Sequence, residues 1–374
     1  MPLILPAEPA HARSLTGVLA GAGESVRGHA GWLPAVRSAV VLVIDGLGAA
    51  NLDARAGHAR FLHAAKSRKD VAVSVFPTTT AAALTSLLTG TTPGAHGVVG
   101  YRVRVPDTGI VANQLTGWDA GEIDPALWQR ARTQFERHPQ TPAFIVSKPE
   151  YRSSGFTAAA FRGAEFVGEV NLEDRLVRAA EVANTHPGSL VYAYAPELDS
   201  LGHKFGWESD SWIAQLERVD AACRAFDRAL APDVGALITA DHGMVDVPHH
   251  SHVLLAEGDP LLEGVADIAG EPRMLHLYAE PGQEVAVLER WRRIEEKRAW
   301  VFSREEAVEA GLFGDVAAEV LPRIGDVLIA ARGLVAYYDD RLEDKAAQRM
   351  VGQHGSLTSA ERIVPLIRLG AYAR

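Results

Sequence analysis

The stretch Val71–His96, VAVSVFPTTTAAALTSLLTGTTPGAH, passes from an apolar β-branched run through a proline and three threonines into an Ala/Leu-rich segment. Val71–Val75 has the composition of a strand, and the run from about Thr80 to Gly90 that of a helix. Hydroxyls therefore gather where a strand hands over to a helix. The first N–H groups of a helix have no internal partner, and the helix dipole adds partial positive charge there. Such a turn can hold an anion against a hydroxyl nucleophile. Thr78, Thr79 and Thr80 all stand at it, and capping of the helix is the competing use for Thr78 or Thr79.

Working outward, the same alternation recurs. Ala39–Ile44 (AVVLVI) is a continuous apolar run, the mark of a strand buried on both faces, and it stops at Asp45-Gly46. Ala54–Ala65 has helical character, as do Leu127–Arg137, Leu172–Thr185 and Asp210–Leu230. Ala143–Ser147, Leu190–Ala195 and Gly235–Thr239 read as further buried strands. Strands alternating with helices predict an α/β fold with a mostly parallel, doubly wound sheet flanked by helices. In such sheets the site collects at the carboxyl ends of the strands. Asp45, Asp199 and Asp241 each fall just past the end of a separate apolar strand. From 249 to 341 the pattern changes to short strands separated by acidic, Gly-containing turns. This region is expected to form a small α+β cap insertion in a single domain, 1–374, with Arg362–Leu369 a strand able to rejoin the main sheet.

A hydrophobic content of 47% with 22% charged residues belongs to a globular protein with a sizeable core. The net charge of −10, without a Lys/Arg run, argues against binding nucleic-acid polymers or anionic membranes. Cys223 is the single cysteine and sits at helical spacing with Leu216, Val219 and Phe226, so it reads as a core residue. The N-terminus lacks a basic segment before its apolar residues and is broken by Pro2, Pro6 and Pro9, which does not match a signal peptide; a cytoplasmic location is the simplest expectation.

The candidate ligands in chain order are Asp45, Asp199, His203, Asp241, His242 and His354. In DSLGH, Asp199 and His203 are four apart, so one helical turn brings both to one face. In ADHGM the carboxylate and imidazole are adjacent after an apolar strand, and His354 lies between Gly352 and Gly355, where backbone can pass close to a site. Mixed imidazole and carboxylate ligands suit zinc best, with manganese or cobalt as further options. Six are too many for one tetrahedral ion, and two metals roughly 4 Å apart would use them. Two divalent cations against three aspartates leave the site positive, which favours an anionic substrate.

IDG after the first strand, the threonine turn with TG and HG downstream, D-x-x-G-H, ADHGM and HG-S form an ordered series from Asp45 to His354. In this the chain resembles the alkaline-phosphatase superfamily, in particular its nucleotide pyrophosphatase/phosphodiesterase-like (type I phosphodiesterase) branch. The resemblance implies an alkaline-phosphatase-like fold and a threonine nucleophile nine residues before the threonine of the TG pair. Thr89-Gly90 is that pair, which selects Thr80. It further implies that Asp45, Thr80, Asp241 and His242 hold one zinc, and Asp199, His203 and His354 the other. The implied activity is hydrolysis of phosphodiester or pyrophosphate bonds in small phosphate esters, nucleotides among them, through a phospho-threonine intermediate. Family diesterases carry an asparagine where this chain has Tyr101, whose hydroxyl reaches a different place as a substrate contact; the departure bears on substrate and not on the metal chemistry.

Other residues receive secondary readings. His249, His250 and His252 are expected in a solvent-exposed loop, and His96 is expected to position a loop. Arg102 and Arg104 are possible phosphate partners, and Arg152, Ser153 and Ser154 lie where a pocket rim would be. A phosphomonoesterase or phosphonate hydrolase on the same scaffold is the alternative activity, although a monoesterase should show extra cationic groups near Thr80. A sulfatase would need a cysteine or serine in place of Thr80. A metal-stabilised binding protein is the non-enzymatic alternative, and a hydroxyl retained beside six ligands argues against it.

Overall fold

The structure is a computed structural model that describes residues 5–118 and 121–373. Its eight-stranded sheet has the order Arg13–Ser14, Val71–Val73, Ile363–Gly370, Val234–Thr239, Ser38–Ile44, Leu190–Ala195, Ala143–Ser147, Glu165–Gly168. Every neighbouring pair is parallel except those made by Ile363–Gly370, which runs antiparallel to both of its neighbours. The C-terminal strand thus rejoins the main sheet and seals the gap between Val71–Val73 and Val234–Thr239. Val40 to Ile44 are all fully buried, as a β-branched run at the centre of a sheet covered on both faces requires. Helices Thr16–Val26 and Thr80–Thr89 pack on one another, as do Leu172–Thr185 and Asp210–Ala229.

Between the last parallel strand and the returning strand lies a second sheet. Its order is Val265–Glu271, Met274–Ala279, Val327–Ala331, Ala299–Ser303, antiparallel throughout. Helix Glu284–Glu295 lays Val287 and Trp291 into a core with Leu277 and Ile329 that is separate from the main one. Buried contacts fasten this second sheet, expected as a cap, to the main one. Arg323 donates to the carbonyls of Gly97 and Trp128 and stacks on the Trp128 ring. Phe313 meets Phe76 edge-on, and Arg273 forms a bidentate pair with Glu361.

Some boundaries differ from the sequence expectations. The segment 54–65 is split between helices Ala49–Ala54 and Arg60–Ala65, with Gly57 in the break. The segment 127–137 is also two short helices, Pro125–Trp128 and Gln134–Arg137, because Thr133 and Glu136 form a capping box that starts a new helix. The strand from Val71 stops at Val73, since Ser74 turns its hydroxyl onto the carbonyl of Asp241. Among the described residues no helix is long and apolar enough to cross a membrane.

Candidate active site

The three central parallel strands deliver the acidic residues. Asp45 follows Ser38–Ile44, Asp241 lies two residues past Val234–Thr239, and Asp199 sits in the first turn of helix Glu197–Phe205, which begins after Leu190–Ala195. Gly46, at φ +73°, lets the chain turn straight after Asp45; a side chain there would press on Asp199. The same helix brings His203 one turn below Asp199, with Nε2 3.5 Å from Asp199 Oδ1. His354 arrives from the loop before the last strand and stacks on His242, ring centroids 3.6 Å apart.

Two clusters result. Asp45, Asp241 and His242 present ligand atoms within 4.8 Å of one another, and so do Asp199, His203 and His354. His242 Nε2 is 3.4 Å from both Asp45 Oδ1 and Asp241 Oδ2. His354 Nε2 and His203 Nε2 are 3.2 Å apart. Ligands about 2 Å from a shared tetrahedral cation stand roughly 3.3 Å from each other, which is the spacing of these edges.

The hydrogen bonds set the tautomers. His203 Nδ1 donates to Gly352 O at 2.8 Å, His354 Nδ1 to Thr78 O at 2.8 Å, and His242 Nδ1 to Gly243 O at 3.2 Å. Each Nε2 lone pair is therefore directed inward, the arrangement a metal-ligating imidazole needs. Two such lone pairs facing one another repel unless a cation lies between them. Asp45 Oδ1, Asp199 Oδ1 and Asp241 Oδ2 are buried without a hydrogen-bond donor. Burial, reinforced by the charges of Asp241 and Asp199, holds the Asp45 carboxyl well above the usual carboxylate range. Burial, with His242 and His203 close by, pushes the His354 imidazole well down. Both shifts describe a site that disfavours its own charges, a cost that a bound cation would relieve.

Thr80 opens helix Thr80–Thr89, and its Oγ1 lies 3.2 Å from His242 Nε2. Its two neighbours have other duties. Thr79 occupies the N-cap position but makes no side-chain cap bond. Thr78 donates to Ser356 O and accepts from Gly355 N–H, tying the threonine turn to the His354 loop. The capping expected of Thr78 or Thr79 is thus absent, and Thr78 serves to join two parts of the site.

Tyr101 is half-buried and lines a groove against the cap, with Arg102, Glu271 and Tyr338. Arg104 is paired to Asp267 at 3.2 Å and lies over the Tyr278 ring. His249 and His250 are exposed, whereas His252 is half-buried against Tyr338. His96 is buried and bonded to Ser86 Oγ at 2.8 Å and to Val98 N–H at 3.1 Å, which fixes its loop. Ser154 caps helix Gly155–Ala160, and Arg152 lies over Phe166. Cys223 is buried in the main core.

Two residues near the ligands escaped the reading of the sequence. Tyr194 donates its hydroxyl to Asp45 Oδ2. Glu271, at the end of a cap strand, places Oε2 3.6 Å from His354 Nδ1, and its Oε1 is buried without a partner. Glu271 carried the signal that flagged Asp45, an acid at the end of an apolar strand, but in a segment assigned to the cap. Tyr194 carried none, since a tyrosine inside LVYAYA reads as an ordinary strand residue.

Known proteins resemble the chain over most of its length. The family model for type I phosphodiesterase / nucleotide pyrophosphatase matches residues 39–357. Ectonucleotide pyrophosphatase/phosphodiesterase 1 of Saccharomyces cerevisiae is 25% identical over 225 residues, 50% of this chain and 30% of the relative. The chain spans about a third of the length of the curated relatives it matches, 36% and 30%. Murine ectonucleotide pyrophosphatase/phosphodiesterase 5 superposes with a TM-score of 0.70 at 19% identity, covering 89% of this chain and 88% of that one. An inactive form of that murine protein has been solved in complex with AMP. Phosphonoacetate hydrolase from Sinorhizobium meliloti, solved with phosphonoacetate, gives 0.69 at 20% identity, covering 90% and 91%. The chain belongs to the type I phosphodiesterase / nucleotide pyrophosphatase family.

Proposed function

From that membership we propose that the protein is a dinuclear metal-dependent hydrolase of phosphodiester or pyrophosphate bonds in small phosphate esters, acting through a phospho-threonine intermediate on Thr80. The observation that carries this is the set of three buried carboxylate oxygens without donors, facing three imidazoles whose Nε2 lone pairs point inward. Asp45, Thr80, Asp241 and His242 would hold one cation, and Asp199, His203 and His354 the other. The mixed donor set favours zinc, with manganese next. Divalent cations held there supply a lowered hydroxyl or water pKa and stabilise negative oxygens in the transition state.

The chain's own residues do the rest. Helix Thr80–Thr89 fixes Thr80 Oγ1 at the mouth of the first cluster. Thr80 Oγ1 forms a bond to phosphorus as the bond to the leaving oxygen breaks. Water then cleaves the Thr80 ester, releasing the phosphate product and restoring the hydroxyl. Tyr101, which lines a groove with Arg102 and Glu271, is the residue proposed to meet a second substrate portion. The AMP complex of the murine relative makes nucleotides the first esters to try.

Thr80→Ala should abolish turnover of p-nitrophenyl phosphodiesters while metal analysis still finds about two transition-metal ions per chain. Retained turnover would remove Thr80 as nucleophile, and one ion or none in the parent protein would overturn the dinuclear site. Parallel rates on matched monoesters, diesters and phosphonates separate the diesterase from the phosphomonoesterase and phosphonate hydrolase readings.

A further inference from the structure

Glu271 carries the second sheet into the site. It ends strand Val265–Glu271, opposite Met274 in the hairpin, and is 8% exposed. Its Oε2 lies 3.6 Å from His354 Nδ1, and its Oε1 is buried without a partner. Gly355 makes room for it, since a Cβ there would stand 2.7 Å from the Glu271 carboxyl carbon. Burial raises the pKa of this carboxyl, and the Thr79 hydroxyl, hydrogen-bonded to it, acts in opposition. The three threonines of the turn are thus divided among three partners. Thr80 faces His242, Thr78 holds the backbone of Gly355 and Ser356, and Thr79 meets Glu271.

A carboxyl buried with one oxygen unpaired is unfavourable unless something nearby offsets it. Among the described residues no lysine or arginine pairs with Glu271. Arg273, two positions on, is committed to Glu361 and to the carbonyls of Gly333 and Val335. The candidate metal clusters differ in charge. Asp45 and Asp241 both serve the first, whereas Asp199 alone serves the second, beside His203 and His354. A divalent cation set against one carboxylate keeps an excess of positive charge. Glu271 adjoins that second cluster on the outer side of His354, whose Nε2 faces His203 Nε2 at 3.2 Å. Thr78 O accepts from His354 Nδ1 at 2.8 Å and fixes the ring; Glu271 adds an acidic group beside the same N–H. A carboxylate on the outer N–H of a ligating imidazole makes it a stronger ligand.

We infer that Glu271 is a positioning residue for the second cation: through His354 it strengthens the Asp199, His203 and His354 set and ties the second sheet to it. The inference rests on the dinuclear reading, and zinc affinity in a chelator competition tests it without recourse to turnover. Glu271→Gln keeps the size of the side chain and removes the carboxylate. In the full chain it should weaken one of two zinc ions by about ten- to a hundredfold and leave the other unchanged. Two backgrounds identify the affected ion. With Asp45→Asn, which impairs the first cluster, Glu271→Gln should still weaken the remaining ion; with His203→Ala, which impairs the second, it should change nothing.

Glu271→Asp, which draws the carboxylate back by one methylene group, should lose less than glutamine at the same ion, and it decides alone if the glutamine variant does not fold. Two zinc ions held with unchanged affinity in Glu271→Gln, or equal losses at both, would overturn the inference while leaving the dinuclear site standing. So would a lowered urea midpoint with no difference between the ions, since Glu271 would then only fill space. A parent protein that binds one zinc ion or none would instead strike the dinuclear reading, and this inference with it.

Discussion

Asp45 shows how much one side chain depends on its neighbours. One of its oxygens is buried without a donor and faces His242; the other accepts from the Tyr194 hydroxyl. The carboxylate is thereby turned so that its free oxygen points at the first cluster. Loss of an outer hydrogen bond of this kind typically costs ten- to a hundredfold in metal affinity or activity. On the dinuclear proposal, Tyr194→Phe should therefore weaken binding of one metal ion by about that factor in a chelator competition, with the other ion unaffected. Unchanged affinity at both positions would show that the hydroxyl does not orient Asp45. At this scale the sequence was legible where chemistry needs an unusual residue at a strand end, as at Asp45, Asp199 and Asp241. It was illegible where an ordinary residue acquires its role only through a partner 149 positions away, as Tyr194 does with Asp45.

The element with most consequence for the site is the loop from Gly352 to Thr358, which has little regular structure of its own. It is held from three sides. Thr78 bonds it through Gly355 N–H and Ser356 O, and Gly352 O accepts from His203. Glu361 accepts from Ser356 N–H at 3.0 Å and pairs with Arg273, both ionic side chains being fully buried. Glu361 O also accepts from Gly243 N–H, next to His242, so one residue braces both clusters. Removing one partner of a buried ion pair leaves an uncompensated charge and costs about 3–5 kcal/mol. Glu361→Ala should lose stability of that order in urea unfolding, whereas Arg273→Met with Glu361→Leu should lose less. Equal losses would mean that the pair contributes by packing and not by charge. The strands around this loop could be recognised from composition, because a buried parallel strand must be apolar along its whole length. The bracing could not, since Arg273 lies in the cap, 88 residues from Glu361, and no local pattern couples them.

At the scale of the molecule the open question is whether the cap, expected at 249–341, unfolds with the body. Two buried histidines give a probe on each side. His96 belongs to the body, and His276 lies in the cap strand Met274–Ala279, where its Nδ1 accepts from Gly325 N–H at 3.1 Å. Burial, with Arg323 near the first and Arg304 near the second, lowers each pKa to about 3. In the unfolded chain each returns to about 6.5. The folded state therefore stays unprotonated where the unfolded state gains a proton. The stability that each neutral histidine provides is complete above pH 6.5 and is lost progressively as the pH falls toward 3. In that window each steepens the decline by about 1.4 kcal/mol per pH unit. Buried Asp45 and Glu271, with raised pKa values, act in the opposite sense, so the histidine contribution is read as a difference between variants. Replacing either His96 or His276 by glutamine should reduce the slope of unfolding free energy between pH 4 and 6 by about one proton. Arg323, Arg273 and the Phe76–Phe313 contact all cross between cap and body. Both slopes should therefore appear in one cooperative transition, with fluorescence and circular dichroism coinciding. Two transitions, with the His276 effect confined to one of them, would show that the cap folds as a unit of its own.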